Sequence, residues 1–300
     1  MRLVVSGASG FLGSALVTGA EEAGWSVATL SRGTNAHETP NFDPGNGWVD
    51  EKVLAGADAV VCLNGAGLFS RPWTASYKAN LLSSRLSSVK TLIDGIGRLN
   101  PHERPSHFVT GSAIGYYGAN RGDRVLDETD SPGDDFLADL CVQWEAAGRE
   151  VEKLGVTHSA LRTGLVMDGR GGMLGLLKHL YRFGLGTRLG DGQQWMSTIS
   201  LRDHVRATLH VIEHELAGPV NLTSPNPLRN RQWHELLAKH LHRPAFLVAP
   251  RPVLTLALGD FAKQAAFASQ RVLPDKLVGS GFEFWDPTVA DIFTQALPSK

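Results

Sequence analysis

The chain of 300 residues is short of several things, and each shortage closes off a class of function. It has two cysteines, Cys62 and Cys141, too few for a disulfide framework, which fits a reducing compartment. Net charge is almost absent: 29 Lys and Arg against 30 Asp and Glu give −1, so no global field draws the chain to nucleic acid or to an anionic membrane. No apolar run approaches the roughly 20 residues needed to span a bilayer. The opening MRLVVSGASG lacks the long apolar core and cleavage site of a signal peptide. Among eleven histidines there is no His-Glu-x-x-His, and the cysteines form no Cys-x-x-Cys, so no metal is expected. A Gly-x-Ser-x-Gly nucleophile elbow is missing too. These absences predict a soluble, cytoplasmic protein that handles a small molecule, with no nucleic-acid or membrane partner. Subunit number is not legible.

What is present is glycine (33 residues) and enough apolar side chain (42%) for a substantial core. The glycines matter first at the N-terminus. SGASGFLGSAL sets Gly7, Gly10 and Gly13 between a strand, Leu3–Val5, and a helix, Phe11–Ala23. Gly7 permits the tight turn, Gly10 lets backbone N–H groups approach a pyrophosphate, and Gly13 lets helix and strand pack closely. Ser9, Phe11 and Leu12 complete the candidate phosphate loop, over a helix N-terminus with partial positive charge. The second strand, Ser26–Leu30, ends in Ser31 and Arg32 with no acid. An acid there would accept from ribose hydroxyls and repel a 2′-phosphate, whereas a guanidinium can bind that phosphate in two-pronged fashion. The pattern favours NADP(H); the other reading of Arg32 is a solvated surface side chain.

Further strands fall at Asp58–Leu63, His107–Thr110 and Thr157–Leu161, and helices at Trp73–Ile96 and Asp134–Leu154. On the long helix Leu82, Leu86, Val89, Ile93 and Ile96 recur at intervals of 4, 3, 4 and 3, predicting its buried face. The alternation predicts an α/β fold, a Rossmann-like doubly wound parallel sheet with a smaller C-terminal substrate lobe. A strand between Thr34 and Trp48 cannot be picked out of a stretch rich in Asn, Gly and Pro. After Arg162 we expect a helix between two loops within 164–192, a strand at Trp195–Leu201 and a helix at Arg202–Glu215. A strand in PVNLTSPNP and helices at Arg231–Leu241 and Pro252–Gln270 follow. The expected division is 1–163 for dinucleotide binding and 164–300 for substrate, with about 200–222 returning to the first.

Read in order, GASGFLG, LSRG, DAVVCLNGAG, SSRL, GSAIGYYG, DDFLADLCVQWE, LRTGLVMDGRGGML, GLGTRLGDGQQWMSTISLRD, PVNLTSPNP, HRPAFLVAP and QRVLPDKLVGSGFEF resemble an atypical extended short-chain dehydrogenase/reductase. More narrowly they resemble the YfcH-like "epimerase family" proteins, with that family's own C-terminal domain. The resemblance covers nearly the whole chain. It implies NADP(H) across the carboxyl edge of the sheet, with Ser31 and Arg32 at the adenosine phosphate and Leu63, Asn64 and Gly65 lining the cofactor. Asn80 and Arg85 on the long helix would complete the pocket, and Thr163 would lie near the nicotinamide. A helix-face hydrogen bond or ion pair is the other reading of Asn80 and Arg85.

Typical enzymes of this kind use Ser or Thr, a Tyr, and a Lys four residues on, whose charge lowers the phenol's pKa. Counting back from Glu145, which resembles the glutamate that often follows the pair, puts Leu137 and Cys141 in the two slots. Neither performs that chemistry; with Leu140 and Trp144 they form an apolar helical stripe. Ser112 keeps the serine slot, just after a strand's C-terminal end. Tyr116 and Tyr117 follow it, either as proton donors or as loop packing. Gln193, Gln194 and Trp195 are candidates for a substrate wall, Arg162 for an anionic substrate or an internal pair, and His210 with His214 for a solvated helix face. Two functions stand: an NADP(H)-dependent oxidoreductase or epimerase acting on a small molecule, and a non-catalytic NADP(H)-binding redox sensor or partner-binding module.

Overall fold

The computed structural model describes residues 1–33, 40–68, 70–244 and 246–298. From the N-terminus, β1 (Arg2–Ser6), α1 (Phe11–Glu22) and β2 (Ser26–Leu30) precede a hairpin of β3 (Phe42–Asp43) and β4 (Trp48–Val49). Then come α2 (Glu51–Leu54), β5 (Ala59–Cys62), α3 (Ala75–Arg98), β6 (His107–Ala113), β7 (Asn120–Leu126), α4 (Phe136–Arg149) and β8 (Thr157–Thr163). The later elements are β9 (Leu165–Met167), α5 (Gly172–Arg182), β10 (Thr187–Leu189), β11 (Trp195–Met196), β12 (Thr198–Ser200), α6 (Leu201–Glu213) and β13 (Gly218–Leu222). The last are β14 (Leu228–Arg229), α7 (Asn230–His240), β15 (Leu247–Ala249), α8 (Arg251–Leu258), β16 (Ser269–Val272), α9 (Asp275–Gly279) and α10 (Val289–Ala296). No helix among the described residues is long and apolar enough to cross a membrane.

Six strands form the main sheet in the order β13-β8-β6-β5-β1-β2. β2, β1, β5 and β6 run parallel, with Leu3 opposite both Val27 and Ala59, and Ala59 opposite His107. Every residue of β5 is buried, as befits a strand covered on both faces. The expected α/β, Rossmann-like sheet is therefore the observed one. The strand that could not be picked out before Trp48 does not join the sheet: Phe42–Val49 is a separate hairpin, and 34–39 lies outside the described residues.

The chain divides into two compact units, each assembled from separated stretches. The first comprises Met1–Ser112, Leu140–Leu161 and Thr208–Val220; the second comprises Ala113–Asp139, Arg162–Ala207 and Asn221–Lys300. The first buries Leu3, Val4, Val5, Val60, Val61 and Phe108 completely. In the second, Met167, Leu174, Tyr181, Trp233, Leu237, Ile292 and Phe293 form a core. Each such side chain contributes about 2 kcal/mol by leaving water.

Several sequence expectations need correction. Of the stripe expected on α3, Val89 and Ile96 are buried, while Leu82, Leu86 and Ile93 are only half-buried; Tyr77, Leu81, Arg85, Ser88, Thr91 and Leu92 complete the buried face. Three polar residues, Arg85, Ser88 and Thr91, occupy the inner face and disguise it in an apolar count. The stretch Pro252–Gln270 is not one helix: α8 stops before Gly259, whose φ of +56° favours glycine, and Gln270 lies in β16. Trp195–Leu201 is two short strands, and Asp134–Leu154 begins its helix at Phe136 and tightens to a 3-10 turn over Glu150–Leu154. β6 runs to Ala113, so Ser112 lies within the strand, next to its last residue.

Candidate functional site

The glycine turn is built as the spacing requires. Gly7 has φ +83°, and a Cβ there would meet the Leu63 carbonyl carbon at 3.0 Å and the Asn64 nitrogen at 3.1 Å. The turn after β1 and the loop after β5 thus approach backbone to backbone. A Cβ on Gly13 would drive into the Gly7 carbonyl oxygen and lie 2.9 Å from the Ala8 Cα. Gly10 donates its N–H to the Gly7 carbonyl at 3.0 Å and caps α1 without a side-chain hydrogen bond. The first turn of α1 holds no acid, so its N-terminal N–H groups face no built-in anion. Ser9 is exposed beside this turn; Phe11 and Leu12 are half-buried at the start of α1.

The loop after β5 is fixed from α3. Ser6 Oγ donates to Asn64 Oδ1, and the Leu63 N–H bonds the Ser6 carbonyl at 3.0 Å. Ser84 Oγ accepts the Ala66 N–H at 3.0 Å, while Arg85 donates to the Ala66 and Leu81 carbonyls at 3.2 and 2.7 Å. Tyr77 and Trp73 hold the next two carbonyls, of Gly67 and Leu68, at 2.6 and 2.9 Å. Arg85 is 8% exposed, its guanidinium 4.9 Å from the Trp144 ring centre and against Gly65, where a Cβ would fall 2.9 Å from Cζ. No carboxylate pairs with it among the described residues, its Nε has no partner, and burial lowers its pKa. Cys62 beneath is inert core, its thiol pushed up to about 12 by burial. Asn80 is exposed on the same helix.

At the end of β2, Asn41 takes a part that no sequence motif announces. Its Oδ1 accepts the Ser31 N–H at 2.7 Å, its amide donates to the Thr29 carbonyl at 3.1 Å, and its own N–H bonds the Ser31 carbonyl at 3.0 Å. Ser31 Oγ accepts the Gly33 N–H at 3.1 Å, shaping the turn that presents Arg32. Arg32 is exposed. The nearby Asp43 carboxyl is held below its usual range chiefly by the Asn46 side chain, with the Arg32 charge a smaller contributor.

Ser112 is buried and donates to a buried carboxylate, Glu145 Oε1, at 2.7 Å. The sequence marked Glu145 only as a landmark; its contact makes it part of the site. The Tyr and Lys slots are filled as expected by apolar core, Leu137 and Cys141 both being buried.

Tyr116, Tyr117 and Thr163 belong to the second unit. Tyr117 is fully buried, donates to Asn221 Oδ1 at 2.7 Å and accepts from Arg162 at 3.1 Å. Burial raises its pKa, the opposite of what a proton donor at neutral pH needs. Tyr116 lies under the Arg162 guanidinium, 3.4 Å from the ring centre. Glu128, raised by burial, accepts the Asn221 N–H at 2.9 Å. Arg162 is thus an internal partner. Thr163 Oγ1 lies 3.2 Å from His204 Nε2. Trp195 is sandwiched by Arg229 and Arg271 at 4.7 and 4.5 Å. His210 and His214 stack on one another at 3.9 Å, and no group of three metal-ligating side chains occurs among the described residues.

With this geometry in hand, the chain can be set beside known proteins. Residues 3–136 match the NAD dependent epimerase/dehydratase family, and residues 249–296 match a domain of unknown function, DUF1731. An epimerase family protein of Mycobacterium bovis is 37% identical over 96% of this chain and 95% of its own length. One from Staphylococcus aureus is 33% identical over 94% of each. A crystal structure of a human epimerase family protein with NADPH covers 100% of both chains with a TM-score of 0.86 at 24% identity. A nucleoside-diphosphate sugar epimerase of Corynebacterium glutamicum matches 99% of this chain and 58% of its own, with a TM-score of 0.80 at 29% identity.

Proposed function

We propose a function from one premise: the chain belongs to the epimerase family. It binds NADP(H) in the first unit and acts as an oxidoreductase or epimerase on a small molecule. The observation that carries this reading is the glycine cradle: at Gly7 and Gly13 a Cβ would fill the space against neighbouring backbone, over an uncapped helix N-terminus. These approaches bring the turn, helix and neighbouring loop together backbone to backbone, as in a dinucleotide-binding loop, and Gly10 leaves the helix N-terminus without a side chain over it. The residues present also fit the group electrostatically, since Arg85 keeps a buried charge and a partnerless Nε with no carboxylate beside it. The NADPH in the human neighbour's crystal structure supports the phosphorylated form, as does the pairing of Ser31 and Arg32 in place of an acid.

What such a dinucleotide supplies is a hydride, given to or taken from a substrate carbon. The chain's own residues do the rest. Ser9, Phe11, Leu12 and Gly13 present backbone N–H groups to phosphate, Gly7 and Gly10 leave the approach open, and Ser31 with Arg32 selects the 2′-phosphate. Leu63 and Asn64, held by Ser6, run through Gly65 into Ala66 and Gly67, held by Ser84, Arg85 and Tyr77, and together keep one wall rigid; Asn80 adds an exposed amide on the same helix. Ser112 moves the proton: in the oxidation direction its Oγ takes one from a substrate hydroxyl while its own passes to Glu145 Oε1, leaving that carboxyl protonated. Reduction runs the same transfers backwards.

A second reading, binding without chemistry, is favoured by Leu137 and Cys141, which put buried apolar groups where a phenol and an ammonium would act. Oxidation of NADPH against a panel of aldehydes and ketones separates the two. Turnover that falls at least 100-fold in Ser112→Ala, with NADPH affinity kept, supports catalysis; affinity without turnover on any member supports the second reading.

A further inference from the structure

The second unit holds a cleft of about 580 Å³ whose charges are unevenly matched. Among its lining side chains, Arg229 is neutralised by Asp123 through contacts of 2.8 and 2.9 Å. Asp191 spends its carboxylate on a turn, accepting the Gln193 N–H at 3.0 Å. Arg251 and Lys263 also line the cleft, and neither has a carboxylate or hydrogen-bond partner among the described residues. The contact recorded for Arg251 is with the Phe267 ring, at 5.3 Å.

A single exposed cation means little. Two of them, from separate stretches, on one concave wall of a chain with net charge −1, gather a local positive field that the wall concentrates. Arg251 is the first residue of α8, where a positive side chain adds to the field of the helix instead of offsetting it. Two more guanidinium Nε atoms, of Arg188 and Arg271, are buried without partners in the same unit. With Asp123 and Asp191 set against Arg229, Arg251 and Lys263, the lining carries one net positive charge, which a bound anion would offset.

We propose that the cleft is a binding site for a small molecule bearing a phosphate or carboxylate group, held by Arg251 and Lys263. Both cations lie within 249–296, so the segment matched to a domain of unknown function acquires a task. The site stands apart from the dinucleotide reading, because every lining residue belongs to the second unit.

The test uses the full chain with NADPH in excess and constant ionic strength, titrated separately with inorganic pyrophosphate and with citrate by calorimetry. At least one should bind saturably. Its affinity should fall at least tenfold in Arg251→Ala/Lys263→Ala and return in Arg251→Lys/Lys263→Arg, with melting temperature unchanged in both because the positions are exposed. Pyrophosphate binding alone assigns a phosphate ligand, and citrate binding alone a carboxylate. No saturable binding by either, displacement by NADPH, or undiminished affinity in the double alanine variant overturns the proposal. NADPH affinity, measured in the same variants, should not move. A failure of the dinucleotide reading would appear separately, as absent NADPH binding in every variant.

Discussion

The two units each bury an arginine and treat it differently. In the second, Arg162 bonds the Tyr117 hydroxyl, stacks on Tyr116 and donates to the Glu128 carbonyl at 3.3 Å. In the first, Arg85 has two backbone carbonyls, an indole face and an idle Nε. A buried cation surrounded by side-chain partners fastens a fold. One with an idle Nε is costly until a ligand brings an acceptor. The difference teaches where to look for binding, and it is open to direct attack.

The largest effect should come from the cradle itself. Gly13→Ala places a methyl against the Gly7 carbonyl, where neighbouring backbone cannot give. We expect loss of dinucleotide binding and destabilisation of about 3 kcal/mol, read by NADPH titration and urea unfolding. The paired arginine variants come next. Arg162→Met should cost about 3 kcal/mol in unfolding free energy while the folded protein keeps its NADPH affinity. Arg85→Met should cost less, about 1 kcal/mol, because loss of its bonds to the Ala66 and Leu81 carbonyls is offset by removal of a buried charge, yet lower NADPH affinity at least tenfold. Equal stability losses with unchanged affinity in both would break the comparison.

A pH series sharpens it further. Burial pushes the imidazoles of His107, His158 and His204 from an ordinary 6.5 down to about 4. Each stays neutral in the folded chain and gains a proton on unfolding between those values. The unfolded state therefore binds more protons in that window, and stability, full above pH 6.5, drains as pH falls toward 4. Urea midpoints should decline over this window, and His158→Gln should make the decline shallower by up to about 1.4 kcal/mol per pH unit. The smallest effect on function is expected of Tyr117→Phe, which should cost about 2 kcal/mol of stability for the bonds lost with Asn221 and Arg162 and change neither turnover nor NADPH affinity.

How much was legible in the sequence follows from how local each constraint is. Gly13 could be read because its approach to the Gly7 carbonyl leaves no room for a side chain within seven positions, and the same spacing marks Gly7, whose own close neighbours, Leu63 and Asn64, lie far along the chain. The strands of the main sheet could be read because burial on both faces needs continuous apolar runs. The inner face of α3 could not, because Arg85 and Ser88 stand in it. Nor could β7, a polar and mostly exposed strand whose partner, β16, lies far along the chain, with Ser269 opposite Asn120. Asn41 and Glu145 show the same limit at the site. Each acts through contacts with residues well removed in sequence, and a lone Asn or Glu announces no such partner.

The central claim is that the first unit is built for the phosphorylated dinucleotide. Side-by-side titration of NADPH and NADH into the wild-type chain and Arg32→Ala tests it most directly. The account predicts tighter NADPH binding in the wild type and a loss of that preference in the variant by roughly tenfold or more, the worth of a charge-assisted contact to phosphate. NADH bound as tightly as NADPH, or a preference for NADPH untouched by Arg32→Ala, would contradict it.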